Sequence, residues 1–370
     1  MKFQVNCENA IANRGNLYRL KQFLERAKRG EKLNIGFIGG SITMGCAATT
    51  PQKAYAWLIY EWFQKKFPQS EFSYINAGIG ATTSQFATAR AESDLLSYKP
   101  DLIFVEFSVN DESNELFLET FEGLIRKLYT FDQKTAIIVL NSVRYQDGGN
   151  AEIQHGEIAR YYDLPQISMQ SSIYPEVVRG RFRSSDITVD DLHPNDVGHE
   201  MVAEIVNYFL EKVLQNLDVI KDEPVLMKKP LTENHYEHAC RYQNYNATPQ
   251  ITGAWMKDTS EQKSITEVFK NGWYASEKGA SITFETEGTE IAIQYRKSVK
   301  QPAPIAEAVV DGKYKVELDA NFEETWGDCL YIDTVLRHAD YAKHTVTITL
   351  TDHCEDAVVP FYLASVISSY

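Results

Sequence analysis

Ser41 stands directly after Gly39 and Gly40, at the end of the apolar run 35–38. A serine on such a turn presents its hydroxyl at the edge where open α/β sheets place their ligands. The hydroxyl attacks a carbonyl only when a base takes its proton. The segment Asp190-Asp191-Leu192-His193-Pro194-Asn195 offers that base. With Asp190 and His193 three apart in a loop, the carboxylate can hold one ring nitrogen while the other faces a hydroxyl. Asp191 is the rival acid. Two more segments offer donors to the negative oxygen of a tetrahedral intermediate. They are Asn76-Ala77-Gly78-Ile79-Gly80, through the Gly78 N–H, and Val105-Glu106-Phe107-Ser108-Val109-Asn110-Asp111, through the Asn110 amide. The Ser41 N–H makes a third donor. Each segment alone also fits a plainer role: a helix-capping serine, a glycine turn, an Asn-Asp turn, a solvated loop histidine. Together they supply a nucleophile, a base, its orienting acid and an oxyanion site. No cofactor or metal enters this scheme.

The elements around these residues alternate. Leu17, Leu20, Phe23, Leu24 and Ala27 share a helical face, as do Tyr55, Leu58, Ile59, Trp62 and Phe63, and again Phe117, Phe121, Leu124, Ile125 and Leu128. A last helix is expected over 201–214. Between them, 34–38, 72–75, 102–107 and 136–140 read as short apolar strands. Strands alternating with helices imply a parallel sheet covered on both faces. Three of the four chemical segments follow directly on a strand. His199 and Glu200, at the start of the last helix, are expected on the surface.

In their order and letters the four segments resemble the signature blocks of the SGNH (GDSL) hydrolases. The blocks' Ser, Gly, Asn and His fall on Ser41, Gly78, Asn110 and His193, and the family's Asp-x-x-His pair falls on Asp190 and His193. Gly40 replaces the usual Asp of the first block, which removes no triad member. The resemblance covers residues 30–215. It implies a three-layer α/β/α esterase with Asp190, rather than Asp191, as the triad acid.

The pattern changes after the first 217 residues. We expect a catalytic domain over 1–217 and a linker or crossing segment over 218–250, charged and carrying Pro224 and Pro230. An all-β sandwich, jelly-roll-like, is expected over 251–370. Strands are predicted at 281–285, 290–296, 306–310, 314–318, 345–351 and 358–366, with Asp311-Gly312 as a hairpin turn. The sandwich and its Gly272-Trp273-Tyr274 segment look similar to carbohydrate-binding modules. The combination resembles intracellular esterases that deacetylate imported manno-oligosaccharides, in which the module helps cover the active site. The implied substrate is an acetylated oligosaccharide. Trp326, in a polar loop, is the candidate sugar contact; Trp255 and Trp273 have packing as their alternative. Two rival classes are a lipid- or thioester-directed esterase whose sandwich is an oligomer interface, and a sugar-binding protein with a relict site.

Composition narrows the partners. Asp and Glu number 51 against 37 Lys and Arg, a formal charge of −14, which disfavours a phosphate backbone as ligand. No stretch has the ~20 apolar residues of a membrane span. Five scattered cysteines, Cys7, Cys46, Cys240, Cys329 and Cys354, fit neither a disulfide framework nor a zinc site. With no apolar leader at the N-terminus, the expected location is the cytoplasm.

Overall fold

The structure, a computed structural model, describes residues 3–351 and 356–370. The chain divides into two compact units, Met1–Asn234 and His235–Tyr370. The segment 218–250 is therefore shared between them. Residues 220–234 lack regular structure and are strapped to the first unit. There the buried Glu122 carboxylate accepts the Leu231 and Thr232 N–H groups at 2.6 and 2.7 Å, and Arg126 donates to the Lys228 carbonyl at 3.0 Å.

The first unit holds a six-stranded sheet. Its strands are β1 (Ile11–Asn13), β2 (Lys32–Gly39), β3 (Glu71–Gly78), β4 (Leu102–Glu106), β5 (Ala136–Asn141) and β6 (Gln166–Ser168), in the order β1-β6-β5-β4-β2-β3. All neighbours run parallel except β1, which pairs antiparallel with β6. The helices are α1 (Tyr18–Lys28), α2 (Ser41–Met44), α3 (Tyr55–Lys66), α4 (Ser84–Asp94), α5 (Glu115–Phe131), α6 (Glu152–Tyr161), α7 (Tyr174–Val178) and α8 (Asp196–Gln215). Alternate strand residues face opposite sides. Leu33, Ile35, Phe37, Leu102, Phe104, Ile138 and Leu140 pack with α1, α3 and α8. Ile103, Val105, Ile137 and Val139 face the other way and are equally buried. With α4, α5 and α6 packed side by side as the other layer, the result is the expected α/β/α arrangement.

The second unit is a sandwich of two antiparallel sheets. One is built from Cys240–Tyr242, Met256–Lys257, Trp273–Ala275, Glu290–Lys297, Cys329–Leu336 and Phe361–Ser369. The other is built from Gln250–Thr252, Ser281–Gly288, Ile305–Val310, Tyr314–Asp319 and Ala342–Leu350. One core joins both: the Trp273 and Phe284 rings meet edge-on at 5.1 Å across the sheets. The Asp-Gly hairpin forms as expected. The Lys313 N–H donates to the Val310 carbonyl at 3.0 Å, and Asp311 and Gly312 take φ of 54° and 66°. Among the described cysteines, Cys7, Cys46, Cys240 and Cys329 are free; Cys354 lies outside the described residues. No helix among the described residues is long and apolar enough to cross a membrane.

Candidate active site

Three neighbouring strands end level. Gly39 of β2 lies in register with Gly78 of β3 on one side and Glu106 of β4 on the other. The residues that follow converge on one edge of the sheet. Ser41 opens α2, and the close approach of β3 to that helix requires a glycine: a Cβ on Gly78 would stand 2.3 Å from the Met44 nitrogen.

His193 comes from a tight loop before α8. The Val189 N–H donates to the His193 carbonyl at 3.0 Å, and Asn195 caps α8 by accepting from Val197 and Gly198. Asp190 Oδ1 accepts the Leu192 and His193 N–H groups at 3.1 and 2.7 Å. Its other oxygen lies 2.6 Å from His193 Nδ1, and His193 Nε2 lies 2.9 Å from Ser41 Oγ. Partial burial works against the charge on Asp190. The hydrogen bonds from the His193 ring and backbone outweigh it and hold the carboxyl below its usual range. Asp191 is placed differently: it sits at φ 64° and its carbonyl accepts the Tyr145 N–H at 2.7 Å.

The second-block donor needs correction. The Gly78 N–H already donates to Asn76 Oδ1 at 2.9 Å, because Gly78 is still the last residue of a paired strand. The Ile79 N–H is likewise taken, by the Gly39 carbonyl. The chain turns only at Gly80 and Ala81, whose N–H groups have no acceptor among the described residues. A Cβ on Gly80 would lie 3.8 Å from that of Ser41, and Ala81 is held at φ 54°. Asn110 is half-buried beside Gly40, its amide without a hydrogen-bond partner among the described residues.

His199 is also corrected: it is fully buried, whereas Glu200 is exposed. His199 Nδ1 accepts the Tyr55 N–H at 3.2 Å and Nε2 lies 3.0 Å from the Cys46 carbonyl. That links α8 to the segment after α2, where the Cys46 N–H holds the Ser41 carbonyl at 2.9 Å. Burial pushes the His199 pKa down. Several other buried ionisable groups near the strand ends escaped the sequence reading. They are Glu106, Arg90 and a fully buried Asp111–His155 pair at 3.0 Å.

In the second unit Trp255 and Trp273 are buried, while Trp326 is 59% exposed and meets Phe322 edge-on at 5.0 Å.

Residues 37–201 match the model of the GDSL-like Lipase/Acylhydrolase family. The whole chain is similar to a two-domain esterase active on acetylated mannans. Identity is 54%, coverage 99% of each chain and the TM-score 0.96. A second structure of such an esterase, co-crystallised with mannopentaose, matches at 54% identity, 99% and 98% coverage and a TM-score of 0.95. An acetylxylan esterase of Geobacillus stearothermophilus is 24% identical over 204 residues, 47% of this chain and 91% of that protein. The chain belongs to the GDSL-like lipase/acylhydrolase (SGNH) family and is a carboxylic ester hydrolase that carries a second, all-β unit.

Proposed function

We propose that this protein removes O-acetyl groups from manno-oligosaccharides through a Ser41–His193–Asp190 triad. The observation that carries the chemistry is the hydroxyl–imidazole–carboxylate line, 2.9 Å at its first step and 2.6 Å at its second. The substrate class rests on 54% identity over 99% of the chain to an esterase active on acetylated mannans.

Ser41 Oγ attacks the acetyl carbonyl as its proton passes to His193 Nε2. The negative oxygen is received by the Ser41 N–H, an N–H of the Gly80-Ala81 turn and the Asn110 amide. Preorganised donors of this kind cost no reorganisation at the moment of reaction. The left-handed Ala81 fits a turn held for such a purpose. Collapse breaks the bond to the sugar oxygen, which takes the proton from His193, and leaves acetyl-Ser41. Water then attacks the acetyl group with His193 as base. Acetate departs and Ser41 regains its proton. Asp190 keeps the imidazole in the tautomer that accepts at Nε2.

Wild type and Ser41→Ala, assayed on acetylated manno-oligosaccharides with acetate release as readout, test this reading. Acetate should appear with wild type only, and a fluorophosphonate should label Ser41. The same comparison on acetyl and octanoyl esters of one alcohol should favour acetyl. Comparable octanoyl turnover would reject the sugar-acetyl reading, and an active Ser41→Ala would reject the nucleophile.

A further inference from the structure

Arg90 is fully buried in α4, a costly place for a guanidinium. It is poorly neutralised. Asp94 approaches Nη1 only to 3.3 Å, and Nε has no hydrogen-bond partner among the described residues. Its shortest bond goes to the carbonyl of Ala77 on β3, at 2.8 Å, and Nη2 reaches the carbonyl of Gly39 on β2 at 3.3 Å. An apolar side chain of similar volume would serve packing as well or better, since replacing buried charges in this way is often neutral or stabilising. What an apolar residue lacks is the planar fork that spans two acceptors.

The two carbonyls stand immediately before Gly40-Ser41 and before the segment leading to Gly80-Ala81. The Gly39 carbonyl also accepts the Ile79 N–H at 3.1 Å, so both strand ends meet at the guanidinium. The N-terminus of the same helix ties in the third segment: the Ser84 N–H donates to Asp111 Oδ1 at 2.9 Å, one residue past Asn110. α4 thus connects all three donor-bearing turns.

We propose that Arg90 is a positioning residue of the oxyanion site, its buried fork holding the ends of β2 and β3 in the spacing that aims the amides of Ser41 and the Gly80-Ala81 turn. The inference rests on the esterase reading above.

Arg90→Met removes charge and fork. Arg90→Lys keeps a charge, but its single ammonium cannot span both carbonyls in the same way. Both are assayed on an aryl acetate, with circular dichroism and thermal melts to establish folding. We expect kcat to fall by about 10²-fold in each, the size of effect that misplacing reacting groups by ~1 Å produces. KM and the acidic limb of the kcat/KM pH profile should stay near wild type, since the triad is untouched. A folded variant with wild-type kcat would overturn the inference. So would a loss accompanied by a displaced acidic limb, which would place the damage in the triad. Arg90→Lys decides in the same terms if Arg90→Met does not fold. A wild-type chain that released no acetate would overturn the esterase reading itself; an active wild type beside unimpaired Arg90 variants would overturn only the role of Arg90.

Discussion

Gly40 makes room for Asn110: a Cβ on residue 40 would stand 2.2 Å from Asn110 Oδ1. The φ of Gly40, −87°, is open to any residue, so the requirement is for space. The usual residue at this position in the first family block is Asp. Restoring it in Gly40→Asp should push the Asn110 amide out of place. Loss of one oxyanion donor typically costs about 10²–10³ in kcat. We expect a fall of that size on an aryl acetate with the fold retained by circular dichroism. Wild-type turnover in Gly40→Asp would remove Asn110 from the proposed oxyanion site.

The two acids before His193 should separate cleanly. Asp190 alone bonds the imidazole, whereas Asp191 contributes its backbone to the loop. Asp190→Asn should lower kcat by about 10⁴, the effect of the same change in a related triad. Asp191→Asn should stay near wild type, because asparagine tolerates the left-handed backbone found there. Equal losses at both positions would misassign the acid.

Glu106 lies fully buried behind this edge. Burial pushes its carboxyl up to about 7 against the hydrogen bonds that Ser108 donates; Asp111 and Tyr55 are its charged or ionisable neighbours. Between the ordinary 4.5 and about 7 the folded chain keeps a proton that the unfolded chain has released. The contribution of this group is therefore most favourable below the ordinary value and is lost as pH rises through about 7, to the extent of roughly 3 kcal/mol. Glu106→Gln should stabilise the protein at about pH 9 and change little at about pH 5. Urea midpoints at the two pH values measure this, and an unchanged difference between them would exclude Glu106 as the source.

His199 acts in the opposite direction. Its depressed pKa keeps the ring neutral in the folded chain below its ordinary 6.5, with Nδ1 accepting from Tyr55. That contribution is complete above pH 6.5 and is lost as pH falls through the depressed folded value. His199→Gln, which cannot titrate, should flatten the acid side of the melting-temperature profile. An acid side as steep as wild type would assign the loss to other groups.

The apolar strands and the amphipathic helices were readable because their periodicity reports burial. α4 was not: it buries Ser84, Gln85, Thr88 and Arg90 together with Phe86, Ala87 and Ala91, so polar and apolar residues share its buried surface and no hydrophobic stripe marks it. The strand Cys329–Leu336 escaped for a related reason, since five consecutive residues, Tyr331 to Val335, are neither fully buried nor alternating. Ser41, His193 and Asp190 were legible as residue types in order. Gly78 was misplaced because the end of a strand is set by pairing with Gly39, which no local pattern records. Counting from the end of the strand would have moved the proposed donor turn to Gly80-Ala81. His199 carries no sequence mark of its two backbone partners, which lie 144 and 153 residues away.

The second unit should matter for sugars and not for the chemistry of ester cleavage. The proposed triad and oxyanion donors all belong to the first unit. Trp326 is the tryptophan of the sandwich with an open ring face; Trp255 and Trp273 are occupied in its core. Phe322, edge-on at 5.0 Å, supports the ring from one side and leaves an apolar platform in an otherwise polar loop. If a sugar ring stacks there, binding energy remote from the ester helps to orient it, and losing that energy lowers turnover as well as affinity. An aryl acetate has no sugar ring to stack and is cleaved as before. Trp326→Ala should therefore lose activity on acetylated manno-oligosaccharides selectively, with aryl acetate hydrolysis retained. Retention of both activities would remove Trp326 from the substrate contacts, and parallel loss of both would make its role structural.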